Sequence, residues 1–471
     1  MVLLANVLQR LEVFGLEMTH RSVSTLLGDP KKAIRKLSGP MMLAMLVQTL
    51  YNLVDAIWVA GLGPGALAAV GGFFPIFMII LSLATGLGIG TNAVVSQRIG
   101  ARDKSGAENA AKVALLLVTI MAIAITIVSL VLIKPALVLM GQSGEALELC
   151  LQYSYIVLPF TIVFMLTNVA NAIFRAEGDA RRAMIVITTG SVLNIALDPI
   201  FIYWFRLNVA GAAYATVISA TVGLLLSAYW FFIRKVSYLD LSFRKNRLDF
   251  SHLWRILSIG IPASLAQLSM SVAIFILNRF ASIAAGANGI AVFTSAWRII
   301  NFGTIPMLGI AAAVTTVVGA TYGAKDIEKL ENAYLYAVRL GLLIGIAVML
   351  FVQILSKQIA FLFSYSEQGS VIFDDIVNAL RVLSLFLPGT PFGMFTSAMF
   401  QGIGHGMKSL IVTIFRTLLL QVFFCWLFVS VARIGLQGVW LGIVIGNLTN
   451  AVVAFGWGKS VIRKLKQIPA I

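Results

Sequence analysis

Only two of the chain's 19 acidic side chains, Asp55 and Asp198, fall inside long apolar segments. A charged group at the middle of a bilayer costs roughly 2.5–3.5 kcal/mol on insertion scales, so such groups usually line a cavity, pair, or handle ions. Both have polar neighbours at helical spacing. Gln48, Tyr51, Asn52 and Asp55 stand at i, i+3, i+4 and i+7, which makes one stripe on a helix. Asn194 and Asp198 stand at i and i+4. Pro199 follows directly and has no N–H, which frees the carbonyl of Ile195 from its helical donor. Asn168 and Asn171 form an i, i+3 pair, and Tyr214, Thr216 and Ser219 supply hydroxyls. A set of oxygens from several helices suits a hard cation such as Na⁺. A carboxyl pair away from water holds a proton equally well. The bland alternative is a hydrogen-bond network that locks helices together.

The elements that position these residues are membrane spans. The 471 residues are 59% hydrophobic and 11% charged, against about 25% charged in soluble domains. Windows of about 20 apolar residues predict twelve spans, at roughly 37–61, 69–97, 110–133, 152–174, 183–205, 209–233, 256–281, 289–318, 333–355, 376–400, 409–431 and 436–458. Alternate loops are basic: Lys31 to Lys36, Arg98 to Lys112, Arg175 to Arg182, Arg234 to Arg255, and the tail from Lys459. The intervening loops are neutral or acidic, as at Glu145, Glu148, Glu367, Asp374 and Asp375. The positive-inside rule puts the basic loops and both termini in the cytoplasm, so the net charge of +16 is a topology signal rather than a nucleic-acid footprint. Cys150 and Cys425 fit no metal spacing, and no CxxC, HExxH or P-loop pattern occurs. Arg10, Glu12 and Glu17 interrupt any secretory apolar run. Residues 1–30 are expected to be a disordered segment or a surface helix, with an apolar face from Val2 to Phe14.

The chain is also duplicated. GARDKSGAENA at 100–110 and GAKDIEKLENA at 323–333 share Gly, Ala, Asp, Glu, Asn and Ala at the same offsets. Phe174, Gly178, Ile185 and Val186 are echoed by Phe400, Gly404, Ile411 and Val412. Each copy holds an even number of spans, so the two run parallel, as in transporters that rock two lobes around a central cavity. The expected organisation is a first lobe at 31–233, a cytoplasmic linker at 234–255, a second lobe at 256–458 and a basic tail at 459–471. The second half has no Asp or Glu within its spans, so ion chemistry belongs to the first. Its polar residues are Gln267, Asn278, Arg298, Arg381, Arg416 and Gln421. Pro40, Pro199 and Pro262 are candidate bending points. Met78, with neighbouring Met and Phe residues, is a candidate for an adaptable cavity wall.

QTLYNLVDAIWVAGLG at 48–63, LNIALDPIFIY at 193–203, AGAAYAT at 210–216 and FTSAMFQGIG at 395–404 resemble the multidrug and toxic compound extrusion (MATE) family. The similarity runs over about residues 27–465 and is close to archaeal, Pyrococcus-type members of its DNA-damage-inducible-F-like branch. It implies an all-α polytopic membrane protein whose twelve transmembrane helices form two six-helix lobes in a V. It further implies a secondary antiporter, not an enzyme, that exchanges H⁺ or Na⁺ for amphipathic, cationic organic compounds. By the resemblance, Asp55, Asp198, Asn194 and Thr216 form the coupling site for a proton or Na⁺, and Gln48, Tyr51, Asn168 and Asn171 line the cavity. Asn52, Tyr214 and Met78 join that cavity by spacing. Another branch holds its cation on second-lobe carboxylates, which are absent here. A multi-pass plasma-membrane monomer is expected, with the bilayer and small amphipathic molecules as partners and no nucleic acid or cofactor. The rival reading is a flippase for a lipid or lipid-linked saccharide.

Overall fold

The computed structural model describes residues 22–242, 248–362, 364 and 371–467. The expected apolar face at residues 2–14, the linker residues Arg244, Lys245 and Arg247, and Glu367 lie outside these.

Eleven apolar helical segments among the described residues are long enough to cross a membrane. The first six spans are Pro30–Ala60, Pro64–Gly100, Lys104–Leu139, Gly144–Ala176, Ala180–Trp204 and Asn208–Ile233. Ser251–Gly323, at 73 residues, is the seventh and eighth spans together. At about 1.5 Å per residue it far exceeds a bilayer of about 30 Å. It breaks at Ala285 and Gly286, and Gly286 takes φ 59°, a left-handed value that glycine tolerates. The ninth to twelfth spans are Ile327–Phe361, Phe373–Gly402, Gly406–Val431 and Leu436–Gln467. The fourth and tenth pass through short 3₁₀ turns at Pro159 and Pro388. By contrast, the helical backbone continues through Pro40 and Pro262, and the sharp break lies at 285–286.

Most helices run past the hydropathy reading, and three of the extensions carry a polar cap or partner. The first span starts at Pro30, where the Asp29 side chain accepts from Lys31 N at 3.0 Å. The seventh starts at Ser251, whose N–H and hydroxyl both donate to Asp249, so the linker is shorter than 234–255. The twelfth runs on to Gln467 through the expected tail, where Lys466 Nζ meets Glu331 Oε2 at 2.6 Å.

The repeated loops adopt one local structure. Arg102 and Lys325 both have φ 59°. Asp103 and Asp326 then cap the next helix by accepting from Gly106 N and Lys329 N. The Gly, Asp and flanking residues of the repeat therefore encode a helix end, a left-handed step and a new helix start.

Among the described residues, the close backbone contacts between the two lobes lie toward the face that carries the basic loops. A Cβ on Gly100 would fall 1.9 Å from Ala320 O, and one on Gly323 would fall 1.8 Å from Gln97 O. Gly86 and Gly90 approach the backbone around Gly260 in the same way. Thr316 donates to Asn92 Oδ1 at 3.0 Å, and Gln97 Nε2 donates to Gly402 O at 2.7 Å. One apolar core runs through both lobes at this end, while a second, around Phe293, Leu380 and Trp440, belongs to the second lobe alone. The V therefore opens on the opposite face.

The linker is docked rather than loose. Leu239 and Leu241 are buried. Glu177 accepts from the Ser237 hydroxyl and from the N–H groups of Tyr238 and Leu239. Asp240 N donates to Glu108, a residue of the repeated loop. Residues 22–27 are helical, and Leu26 packs beside Gly178.

Candidate coupling site

The first and fifth spans pack along their length and bring Asp55 and Asp198 face to face. Asp198 is fully buried and Asn194 nearly so, while Asp55 is half-buried. Two carboxylates offer only acceptors to each other. Their contact becomes favourable when one takes a proton or a cation sits between them.

The surrounding groups fix that pair. With its amide nitrogen facing the carboxylate, Asn194 donates to Asp198 Oδ2 at 2.9 Å and accepts from Thr216 N at 3.1 Å. This orientation satisfies both ends of the amide, which is how such groups are assigned. The other carboxylate oxygen, Asp198 Oδ1, is buried with no donor among the described residues. The Thr216 hydroxyl donates to Ala212 O at 2.9 Å. The hydroxyls of Tyr51 and Tyr153 lie beside it. Two carboxyls, an amide and three hydroxyls from four spans thus converge on one spot.

Tyr153 is the residue that sequence reasoning missed. It lies in an apolar run of the fourth span, where a tyrosine reads as packing. Its ring does pack, edge-on to Phe73 at 5.3 Å, while its hydroxyl reaches the cluster. Phe73, Phe77 and Phe164 continue as an aromatic row behind it. Met78 and Gln48 are half-buried nearby in sequence.

The other expected residues divide. Asn168 spends its amide on Phe164 O at 3.1 Å. Asn171 is buried and keeps an oxygen without a donor among the described residues. Asn52 is exposed. Tyr214 is exposed as well; two residues from Thr216, it points to the opposite side of the sixth span.

The second lobe has no counterpart. At the offset that pairs Pro40 with Pro262, Asp55 pairs with Leu277. At the offset that pairs Phe174 with Phe400, Asp198 pairs with Phe424. The duplicated scaffold therefore carries the acidic pair in one copy alone.

A family profile described as MatE matches residues 40–200 and 262–427, one block in each lobe. The chain is 25% identical over 444 residues to a probable multidrug resistance protein, YoeA, of Bacillus subtilis, covering 91% of this chain and 93% of that one. It is 26% identical over 428 residues to the multidrug export protein MepA of Staphylococcus aureus, covering 90% and 92%. A solved MOP superfamily transporter from Pyrococcus furiosus is 53% identical, with a TM-score of 0.92, covering 95% of this chain and 99% of that one. That structure is described as having a binding pocket of reverse polarity that suggests a different function. With matched blocks in both lobes and the twelve-span V on which they lie, the chain belongs to the MatE family of membrane transporters, which are not enzymes.

Proposed function

We propose that the protein is a multidrug efflux antiporter in which inward movement of H⁺ or Na⁺ drives outward movement of amphipathic, cationic organic compounds. The observation that carries this reading is the buried Asp55–Asp198 pair with Asn194 on one of its oxygens. A pair that repels when both members are charged favours whichever conformation supplies its ion. Such differential affinity converts an ion gradient into a shift between lobe arrangements. The family match and the names of the multidrug relatives support the efflux assignment.

In this reading the basic loops and both termini are cytoplasmic in the plasma membrane, and the protein works as a monomer. The lobe contacts at the basic face then make this the outward-open arrangement. The test is purified protein in liposomes with separate pH and Na⁺ gradients and a fluorescent organic cation. Asp55→Asn and Asp198→Asn should each lose gradient-driven transport while keeping the wild-type melting temperature. Full gradient-driven transport by Asp55→Asn would sink the assignment.

One observation favours a second reading. Arg416 is half-buried in the eleventh span, a position suited to an anionic headgroup, as a lipid flippase requires. Lipid scrambling in the same liposomes, with no drug transport, would decide for it.

A further inference from the structure

Asp55 and Asp198 sit on different spans, and something must hold those spans together beyond the pair. Pro199 withholds an N–H directly after Asp198, and the fifth span then continues in wider π-helical winding over Ile200–Trp204. This segment is gripped from two sides. On one side lies the sixth span, where a Cβ on Gly211 would fall 2.7 Å from Phe201 C and O. On the other lies the end of the first span. There the Tyr203 hydroxyl donates to Trp58 O at 2.7 Å, and the two rings meet edge-on at 6.0 Å. The helix is ending at that point, and Leu62 N donates to Val59 O, which leaves the Trp58 carbonyl to Tyr203.

Gly61 makes room for this bond. A Cβ there would fall 2.2 Å from Tyr203 Oη. The backbone does not require glycine, since φ −64° and ψ −16° are ordinary helical values. What requires it is the space that the tyrosine hydroxyl occupies. Trp58 lies one turn beyond Asp55, and Tyr203 lies one π turn beyond Asp198. The bond therefore closes a short bracket around the carboxyl pair.

We propose that Tyr203 is a positioning residue for ion coupling: its hydrogen bond to the Trp58 carbonyl, in the space left by Gly61, sets the approach of Asp55 to Asp198. The inference rests on the coupling role proposed above. Tyr203 does not touch the ion. It holds the outer end of the first span against the fifth, so that one ion contacts both carboxyls. The titratable groups facing the pair are Tyr51 on the first span and Tyr153 on the fourth.

The test compares Tyr203→Phe, Gly61→Ala and the double variant in liposomes. The readouts are the ion concentration that gives half-maximal drug transport, the KM for the drug, and the melting temperature. Each single variant should raise the ion requirement roughly two- to tenfold, the range of one net hydrogen bond. Drug KM and melting temperature should stay put. Because Gly61→Ala acts by displacing the hydroxyl, adding it to Tyr203→Phe should change little further. An unchanged ion requirement in both single variants overturns the proposal, and so does a lower melting temperature without an ion shift, the mark of a mere brace. Additive effects in the double variant also overturn it. Asp55→Asn is measured alongside: if it keeps driven transport, the coupling role itself fails and the proposal falls with it; if it loses driven transport, the Tyr203 result stands on its own.

Discussion

At the scale of single residues, the proposed coupling cluster is held by one amide. Asn194 is the donor to Asp198 Oδ2, and a hydrogen bond to a charged group contributes about 1.5–3 kcal/mol. Asn194→Leu keeps the volume and removes the donor. It should raise the ion requirement for transport roughly ten- to a hundredfold, read as transport rate against imposed gradient; an unchanged requirement would place the amide outside the site. Tyr153→Phe tests the residue hidden from sequence. It should weaken driven transport without lowering expression, since the ring and its contact with Phe73 remain. What was legible in the sequence, and what was not, follows from how each residue betrays itself. Asp55 and Asp198 stand out because a charge in an apolar run is costly. Asn194 follows from i, i+4 spacing. Tyr153 and Tyr203 are aromatic residues in apolar runs, where their hydroxyls are invisible until distant spans are brought together. Asn52 shares the stripe's sequence period and is exposed.

At the scale of elements, the spans were legible from hydropathy, and the duplication from eleven residues that turn out to be helix ends and caps. The linker was not. Residues 234–242 read as a polar connector, because an alternation such as Leu239 and Leu241 around Asp240 is too short to signal burial. The structure pins the segment through Glu177 and Glu108, with Arg182 reaching Val236 O and Lys104 over the Tyr238 ring. Burial pushes the Glu177 carboxyl up to about 7, with the Asp179 charge adding to the shift and the Ser237, Tyr238 and Leu239 donors opposing it. The ordinary value is 4.5. A folded value above the unfolded one means that this group's contribution is fully present below the unfolded value and fades as pH rises through the folded one. The melting temperature of the wild type should therefore fall from about pH 5 to pH 8 relative to Glu177→Gln, which keeps an acceptor and cannot titrate. A constant difference between the two across that window would refute the titration.

At the scale of the whole molecule, the duplication is a scaffold device and the chemistry is one-sided. Matching glycines, Gly100 and Gly323, close the basic face as a pseudo-symmetric pair, each pressed on the other lobe's backbone. The coupling carboxyls have only Leu277 and Phe424 as counterparts. In the proposed antiport, motion uses both copies while the ion uses one, and the two are separable by mutation. Gly100→Val places branched carbon where even a methyl would fall 1.9 Å from Ala320 O, an atom of backbone that cannot rotate away. The closed basic face must give way, and the lobe equilibrium should move toward the arrangement open on that face. A loss of about 2.7 kcal/mol in the closed form is a hundredfold change in population. The check is a pair of spin labels across the lobes at the basic face, whose distance distribution should lengthen in Gly100→Val. Gly71→Val is the control, because a Cβ there meets nothing within 4 Å. If the lobes alternate as proposed, Gly100→Val should lose drug export while still binding the ion, since no residue of the Asp55–Asp198 cluster moves. Unchanged label distances in Gly100→Val, matching those of Gly71→Val, would mean that the glycine contact does not set the closed state.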